Sequence, residues 1–348
     1  MKIQVQRRTV FKTILGIAVL GLLMGFGNYQ QPSYAGDLPG AGVSVRVVKH
    51  PQASSSFWTF VSTIGLERLG YKIEKIDKTA IVAAGYLAVA QGDSDYWSQS
   101  WEPIHDSFYE KAGGAKKLTK IGVLVPGAGQ GFLIDKRTAK EFNITNVEQL
   151  KDPKIAKLFD SDGDGKANLI GCPPGWGCER VIEHLMDAYK LRDTVTHDQG
   201  DFVVIHTDAV SRYKAGERVL YYTYTPLWLN QILVPGKDVE WLEVPFTSLP
   251  PEQMKPGVKT TLPDGRNIGF PVVRIRIAAN NKFLAANPAA KRWFELVTIP
   301  VEDVNSENFL IYQGEDSTEA IHGHAEKWIK DNQAQFDAWI EEAKKAAG

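Results

Sequence analysis

Both cysteines of the chain, Cys172 and Cys178, fall in one segment, GCPPGWGC at 171–178, with Trp176 between them. Five residues separate them, too many for the Cys-x-x-Cys spacing of redox or zinc sites and well suited to a small disulfide-closed loop. Such a loop holds Trp176 rigidly, while Gly175 and Gly177 leave the indole uncrowded and let backbone approach a ligand closely. The reading is a ligand-holding loop rather than a redox centre. Two further segments share its bias. SWEPIHD at 100–106 and YYTYTPLW at 221–228 each set an aromatic beside proline at an element end, where α/β folds place ligand contacts. Any one of these aromatics taken alone reads more readily as a core or rim side chain.

Other chemistries find less support. Asp160, Asp162 and Asp164 have calcium-loop spacing with Gly165 at the sharp turn, but Gly171 stands at the twelfth position, where a bidentate glutamate is needed. A solvated Asp/Gly turn is therefore preferred to a metal site. His322 and His324 are the only close histidine pair and have no cysteine nearby, so a surface pair is expected. There is no Gly-x-Ser-x-Gly elbow and no phosphate-binding glycine loop, so neither an enzyme nor a cofactor is expected. Trp97 and Trp228 are singled out among the other tryptophans because each lies within four residues of an aromatic candidate.

The N-terminus indicates the compartment. Lys2, Arg7, Arg8 and Lys12 precede an apolar run at 13–27, and Ser33-Tyr34-Ala35 offers a cleavage site before Gly36. The run is shorter than the roughly 20 residues of a spanning helix, so residues 1–35 read as a cleaved signal peptide. RRTVFK at 7–12 also fits a twin-arginine signal, and both that route and the Sec route stay open. No cysteine near the cleavage site could carry a lipid, which points to a periplasmic protein, and an oxidising compartment permits the disulfide. Removing the leader takes the formal net charge from −1 to −5 and leaves 313 residues, enough for two lobes. Nothing suggests nucleic acid.

Along that mature chain, strand-like runs alternate with helix-like stretches, which favours an α/β architecture. Strands are expected at 43–50, 71–76, 122–126, 131–135, 219–224, 238–245 and 269–280, and helices at 57–70, 146–152 and 179–191. The last of these would bury Val181, Ile182, Leu185 and Met186. From NPAAKRWFELV onward the chain reads as wholly helical. Two α/β lobes on a secreted chain suggest a bilobal solute-binding protein, one lobe formed by 36–126 and 271–348, the other by 127–270. The crossings fall near Val125–Gly131 and Gly269–Val273, where glycine or proline could serve as hinges.

These segments together match a family. DLPG near the start of the mature chain, EKAGG (110–114), QGFLIDKRTA (130–139), LKDPKIAKLFDSDGDGKANL (150–169), GCPPGWGCE (171–179), TVTHDQG (194–200) and KWIK (327–330) are the motifs concerned. Residues 37–348 resemble the periplasmic glycine betaine/proline betaine-binding proteins of ABC-type osmoprotectant importers. The resemblance implies a two-lobed periplasmic binding protein fold (type II), a sheet flanked by helices in each lobe, closing around a quaternary ammonium in an aromatic cage. It places cage tryptophans at Trp101, in a Trp-x-Pro-x-His segment, and at Trp176. It assigns the carboxylate to His105 and to the backbone N–H groups of Gly177 and Cys178. The third cage position, tryptophan in the family pattern, is Tyr224 here. The implied partners are a small zwitterionic quaternary ammonium ligand and a membrane permease, the protein itself being a monomer.

The physics of such a ligand agrees. A trimethylammonium group donates no N–H hydrogen bond, so aromatic faces must attract its diffuse charge, each contributing about 0.5–2 kcal/mol. Its carboxylate needs donors, and the first amides of a helix supply them. A binding protein for choline, carnitine or another quaternary amine is the second reading. An enzyme acting on a small amine is the third.

Overall fold

The computed structural model describes residues 38–262 and 264–348. The proposed leader and its cleavage site lie outside the described residues. Eleven strands are found among those described: β1 (Ser44–Val45), β2 (Val47–Val48), β3 (Lys72–Ile73), β4 (Tyr96–Glu102), β5 (Leu118–Ala128), β6 (Gln130–Asp135), β7 (Ala167–Ile170), β8 (Val195–Asp198), β9 (Leu220–Tyr224), β10 (Val239–Trp241) and β11 (Val273–Asn280). They form a four-stranded sheet in the order β2-β4-β11-β5, a five-stranded sheet in the order β10-β6-β9-β7-β8, and a small β1-β3 pair. In the larger sheet β9, β7 and β8 run parallel, whereas β6 is antiparallel to both its neighbours. Helices flank the strands, and none of those described is long and apolar enough to cross a membrane.

Each main sheet has its own core. Around the five-stranded sheet, one cluster gathers buried side chains from Ala128 to Val273, joined by Ile104. Around the four-stranded sheet, another runs from Val45 to Val125 and resumes at Ile275, ending at Ala343. Trp101 packs against both. The chain passes between the sheets where β5 runs through Gly127 and Gly129 into β6, and returns where the segment after Gly269 enters β11. Gly127 and Gly269 have φ of +75° and +77°, a backbone state that glycine adopts without the steric cost met by other residues.

The expected elements were found with changes that have local causes. The single strand expected at 43–50 is split between two sheets: β1 pairs with β3, and β2 pairs with β4. Arg46 lies at the break, its N–H and guanidinium all donating to Asp95. The helix expected at 146–152 is a 3-10 turn, Val147–Lys151, closed by a reciprocal Asn146–Gln149 cap. Of the expected strand 238–245 only β10 forms, and 269–272 does not join β11. The segment 100–106 is not wholly loop, because β4 extends through Trp101 to Glu102. After β11 the chain is helical through five helices, from Asn281–Ala286 to Gln333–Lys345, as expected from 287 onward. The helix Gly177–Ala188 buries Val181, Ile182, Leu185 and Met186, as its apolar spacing requires.

Candidate functional site

A small cavity, with about 440 Å³ of space between atoms that includes open solvent, lies between the two sheets. All six residues singled out from the sequence, Trp101, His105, Trp176, Gly177, Cys178 and Tyr224, line it. His50, Gln52, Val82, Trp97, Gln99, Ile104, Gln130 and Tyr222 complete the wall. No Asp, Glu, Lys or Arg side chain is among them. A ligand here meets aromatic faces, carboxamides, imidazoles and backbone, and no formal countercharge.

Strand periodicity explains the part of that wall that the sheets supply. Trp97, Gln99 and Trp101 are alternate residues of β4 and so share one face, while Tyr96 and Ser98 hydrogen-bond to Ser62 and Thr59 in the helix Ser56–Arg68. Tyr222 and Tyr224 alternate in the same way on β9, and Gln130 of β6 pairs in register with Tyr224. Trp97 and Gln99 were therefore recoverable from Trp101 by a period of two, had 96–102 been read as a strand. Gln99 Oε1 accepts from Trp101 Nε1 at 2.8 Å, which fixes the orientation of the indole. His50 and Gln52 sit in the turn after β2, and no spacing marks them.

The loop at 171–178 is closed by a disulfide between Cys172 and Cys178, with Cα atoms 6.0 Å apart. Gly175, at φ +84°, donates its N–H to Glu179 Oε2 at 2.6 Å, and Gln199 donates to the Cys172 carbonyl at 3.0 Å. The helix Gly177–Ala188 starts directly after this loop. Its N-cap, Trp176, is extended and makes no side-chain cap hydrogen bond. The N–H groups of Gly177 and Cys178 thus open the helix at the cavity wall, at the positive end of its dipole. A Cβ at 177 would come within 2.8 Å of His105 Cδ2 and 3.1 Å of the Ile104 carbonyl, so only glycine lets the two sides meet this closely.

His105 faces Gly177 across the cavity wall. Its Nδ1 accepts from the Trp101 N–H at 3.3 Å and its own N–H donates to the Trp101 carbonyl at 2.8 Å. The ring lies parallel to Trp97, centroids 6.1 Å apart. Burial pushes its pKa down to about 3, the neighbouring His50 adding to the effect. Burial also takes His50 down to about 4. Both imidazoles are neutral at pH 7. The Trp101 N–H contact at Nδ1 assigns the proton of neutral His105 to Nε2, and the ring also interacts with the Gln99 backbone.

The aromatic rings stand at angles to one another rather than in a stack. Trp101 meets Tyr224 at 5.3 Å and 87°, Trp176 meets Tyr224 at 6.5 Å and 62°, and His50 meets Trp176 at 5.5 Å and 80°. Trp176 is backed by Phe202, parallel at 5.5 Å, and Phe202 by His206 at 3.8 Å. Tyr224 is buried, with the Gln52 side chain beside its hydroxyl. A cluster of aromatic rings of this kind suits a bulky cation, which is attracted to π faces.

The remaining candidates lie elsewhere. One carboxylate oxygen from each of Asp160, Asp162 and Asp164 falls within 4.8 Å of the others. Those carboxylates hold their own turn, Asp160 accepting from Gly163 and Gly165, Asp162 from Asp164, and Asp164 from Lys166. Trp228 is absent from the cavity wall and stacks on Tyr312 at 4.3 Å. His324 bridges Glu307 and Glu315.

Known proteins share this architecture and, at higher identity, this sequence. Residues 43–331 match the family described as the substrate binding domain of ABC-type glycine betaine transport systems. The chain is 48% identical over 311 residues to the glycine betaine/proline betaine-binding periplasmic protein of Escherichia coli, covering 89% of this chain and 93% of that protein. It is 47% identical over 313 residues to a glycine betaine-binding periplasmic protein of Dickeya dadantii, covering 90% and 93%. Among solved structures, a lactococcal protein in its closed form with glycine betaine aligns with a TM-score of 0.61 at 20% identity, covering 86% of this chain and 99% of that one. A choline-binding protein of an ABC transporter, complexed with choline, aligns at 0.63 and 16% identity, covering 87% and 96%. The fold is the two-lobed type II periplasmic binding protein fold. From its sequence over nearly the whole described chain, the protein belongs to the family of substrate-binding proteins of ABC-type glycine betaine transport systems.

Proposed function

We propose that this protein captures glycine betaine or proline betaine between its two lobes and delivers it to a membrane permease. The observation that carries the reading is the meeting, in one cavity without charged side chains, of three aromatic faces with two uncapped helix amides and a neutral imidazole. Trp101, Trp176 and Tyr224 would enclose the trimethylammonium group. The N–H groups of Gly177 and Cys178, with His105 Nε2–H, would hold the carboxylate. A zwitterion has no net charge, so a wall without formal charge suits it as a whole while each end meets its own partner. The names of the curated relatives support this ligand class.

The two lobes would be 36–126 with 271–348, and 127–270, the division that the two cores support. Export through a cleaved signal to the periplasm and a monomeric state complete the proposal. Choline is the second reading, favoured by the likeness to a choline-bound neighbour in fold. Choline has no carboxylate and would leave the 177 and 178 amides and His105 poorly paired, so betaine should bind more tightly. Titration calorimetry tests both. Glycine betaine should bind with a Kd of about 1 μM or tighter, equivalent to about −8 kcal/mol, and choline more weakly. No heat with millimolar glycine betaine would refute the proposal, and equal affinities would refute the carboxylate site.

A further inference from the structure

Asp106 immediately follows His105 and opens the helix Asp106–Lys111. Its carboxylate, only 4% exposed, accepts from two lysines of different origin. Lys120 Nζ comes from β5, on the same side of the molecule, at 2.6 Å. Lys255 Nζ comes from the opposite side at 2.5 Å and is 47% exposed. The segment that carries Lys255 is anchored to the five-stranded side by Leu249, buried in its core, and by Val258, packed against that core. Its 3-10 turn Pro251–Gln253 packs against the helix Asp106–Lys111. Glu252 of that turn pairs with Arg180 in the helix whose first amides line the cavity. One short segment thus carries two ion pairs, Glu252 with Arg180 of the helix Gly177–Ala188 and Lys255 with Asp106, the residue next to His105.

We infer that the Lys255–Asp106 ion pair is a closure contact: it forms when the lobes meet, holds His105 against Gly177, and slows ligand release. The inference rests on the betaine-binding reading above. When the lobes part, Lys255 leaves and returns to water while Asp106 keeps Lys120, so neither state strands a buried charge. The pair therefore biases closure rather than locking it. An interaction present only in the closed state lowers the rate of opening and leaves the encounter of ligand with the open form largely unchanged. Lys255 acts through Asp106 and His105 and is a positioning residue.

Stopped-flow tryptophan fluorescence with glycine betaine tests this. Lys255→Met should raise koff roughly three- to tenfold and leave kon within about twofold. Lys255→Arg should restore koff. The koff of wild type should climb between about 0.05 and 0.5 M salt more steeply than that of Lys255→Met. The melting temperature of ligand-free protein should be the same with and without Lys255, since the contact is absent from the open form. An unchanged koff in Lys255→Met, beside a wild type that binds, would overturn the latch alone. So would a fall in ligand-free melting temperature equal to that seen with ligand. A wild type with no glycine betaine transient would overturn the ligand reading and the latch with it.

Discussion

On the four-stranded side, the cavity is lined by side chains: Trp97, Gln99 and Trp101 along one face of β4, then His105 in the turn that follows. On the five-stranded side the distinctive groups are backbone, the amides of Gly177 and Cys178 at the start of a helix, with Trp176 beside them on a disulfide-closed loop. The two sides constrain their groups differently. A strand face is held by its sheet register, here Trp101 opposite Ile275, and needs no covalent aid. A loop that must present amides has no register, and the disulfide with the Gly175–Glu179 bond supplies the missing restraint. Under the proposed reading, cation recognition would be shared between the sides, because π faces are needed around the whole group. Anion recognition would be divided into an amide pair from one side and an imidazole from the other.

The largest expected effect tests the shared half. Trp101→Ala and Trp176→Ala should each weaken glycine betaine binding on the order of 100-fold, about 2.7 kcal/mol, by calorimetry. A large loss from one and none from the other would show that one side alone holds the cation. Gly177→Ala tests the junction. The added methyl would press on His105 and the Ile104 carbonyl, wedging the sides apart, and affinity should fall roughly tenfold or more while ligand-free stability changes little.

A third test concerns the neutral imidazoles. Burial lowers the folded pKa of His105 to about 3, and those of His50 and His206 to about 4, from an unperturbed 6.5. Above pH 6.5 these rings are neutral whether folded or unfolded, and stability does not depend on them. As pH falls from 6.5 toward the folded values, only the unfolded chain takes up protons. Stability is therefore lost, by about 2 kcal/mol per histidine at pH 5. Urea unfolding at pH 7 and pH 5 should show this, and betaine affinity should stay flat from pH 6 to 8. An affinity that rises with protonation near pH 6.5 would mean that a charged His105 binds the carboxylate.

The last two tests refine the loop side. Replacing Cys172 and Cys178 together by serine should cost about 2 kcal/mol of stability and weaken affinity severalfold, because the amides lose their restraint. Tyr224→Phe keeps the π face and removes only the hydroxyl beside Gln52, so affinity should change by less than about fivefold. A larger loss would give the Tyr224 hydroxyl a role in shaping the cage.

Much of this was legible in order along the chain. The Cys-to-Cys spacing announced the loop, the apolar period of 179–191 announced the helix behind it, and the aromatic segments announced the walls. Gln99 was hidden, and Trp97 stood out only by its nearness to Trp101, because 100–106 reads as loop from its proline, whereas β4 gains its length from pairing with β11. The split of 43–50 into β1 and β2 was hidden for a related reason, since it depends on Asp95, distant in sequence, capturing Arg46. Sequence by itself determined the residue types and, through short-range periodicity, most of the local elements, while its motifs carried the resemblance to the family. Only the tertiary structure decided that Trp101, His105, Trp176, Gly177, Cys178 and Tyr224 face one cavity, that His105 is neutral, and that Lys255 reaches Asp106. Distance, burial and the field at a side chain depend on which segments meet in space, and sheet register and lobe contact set those relations.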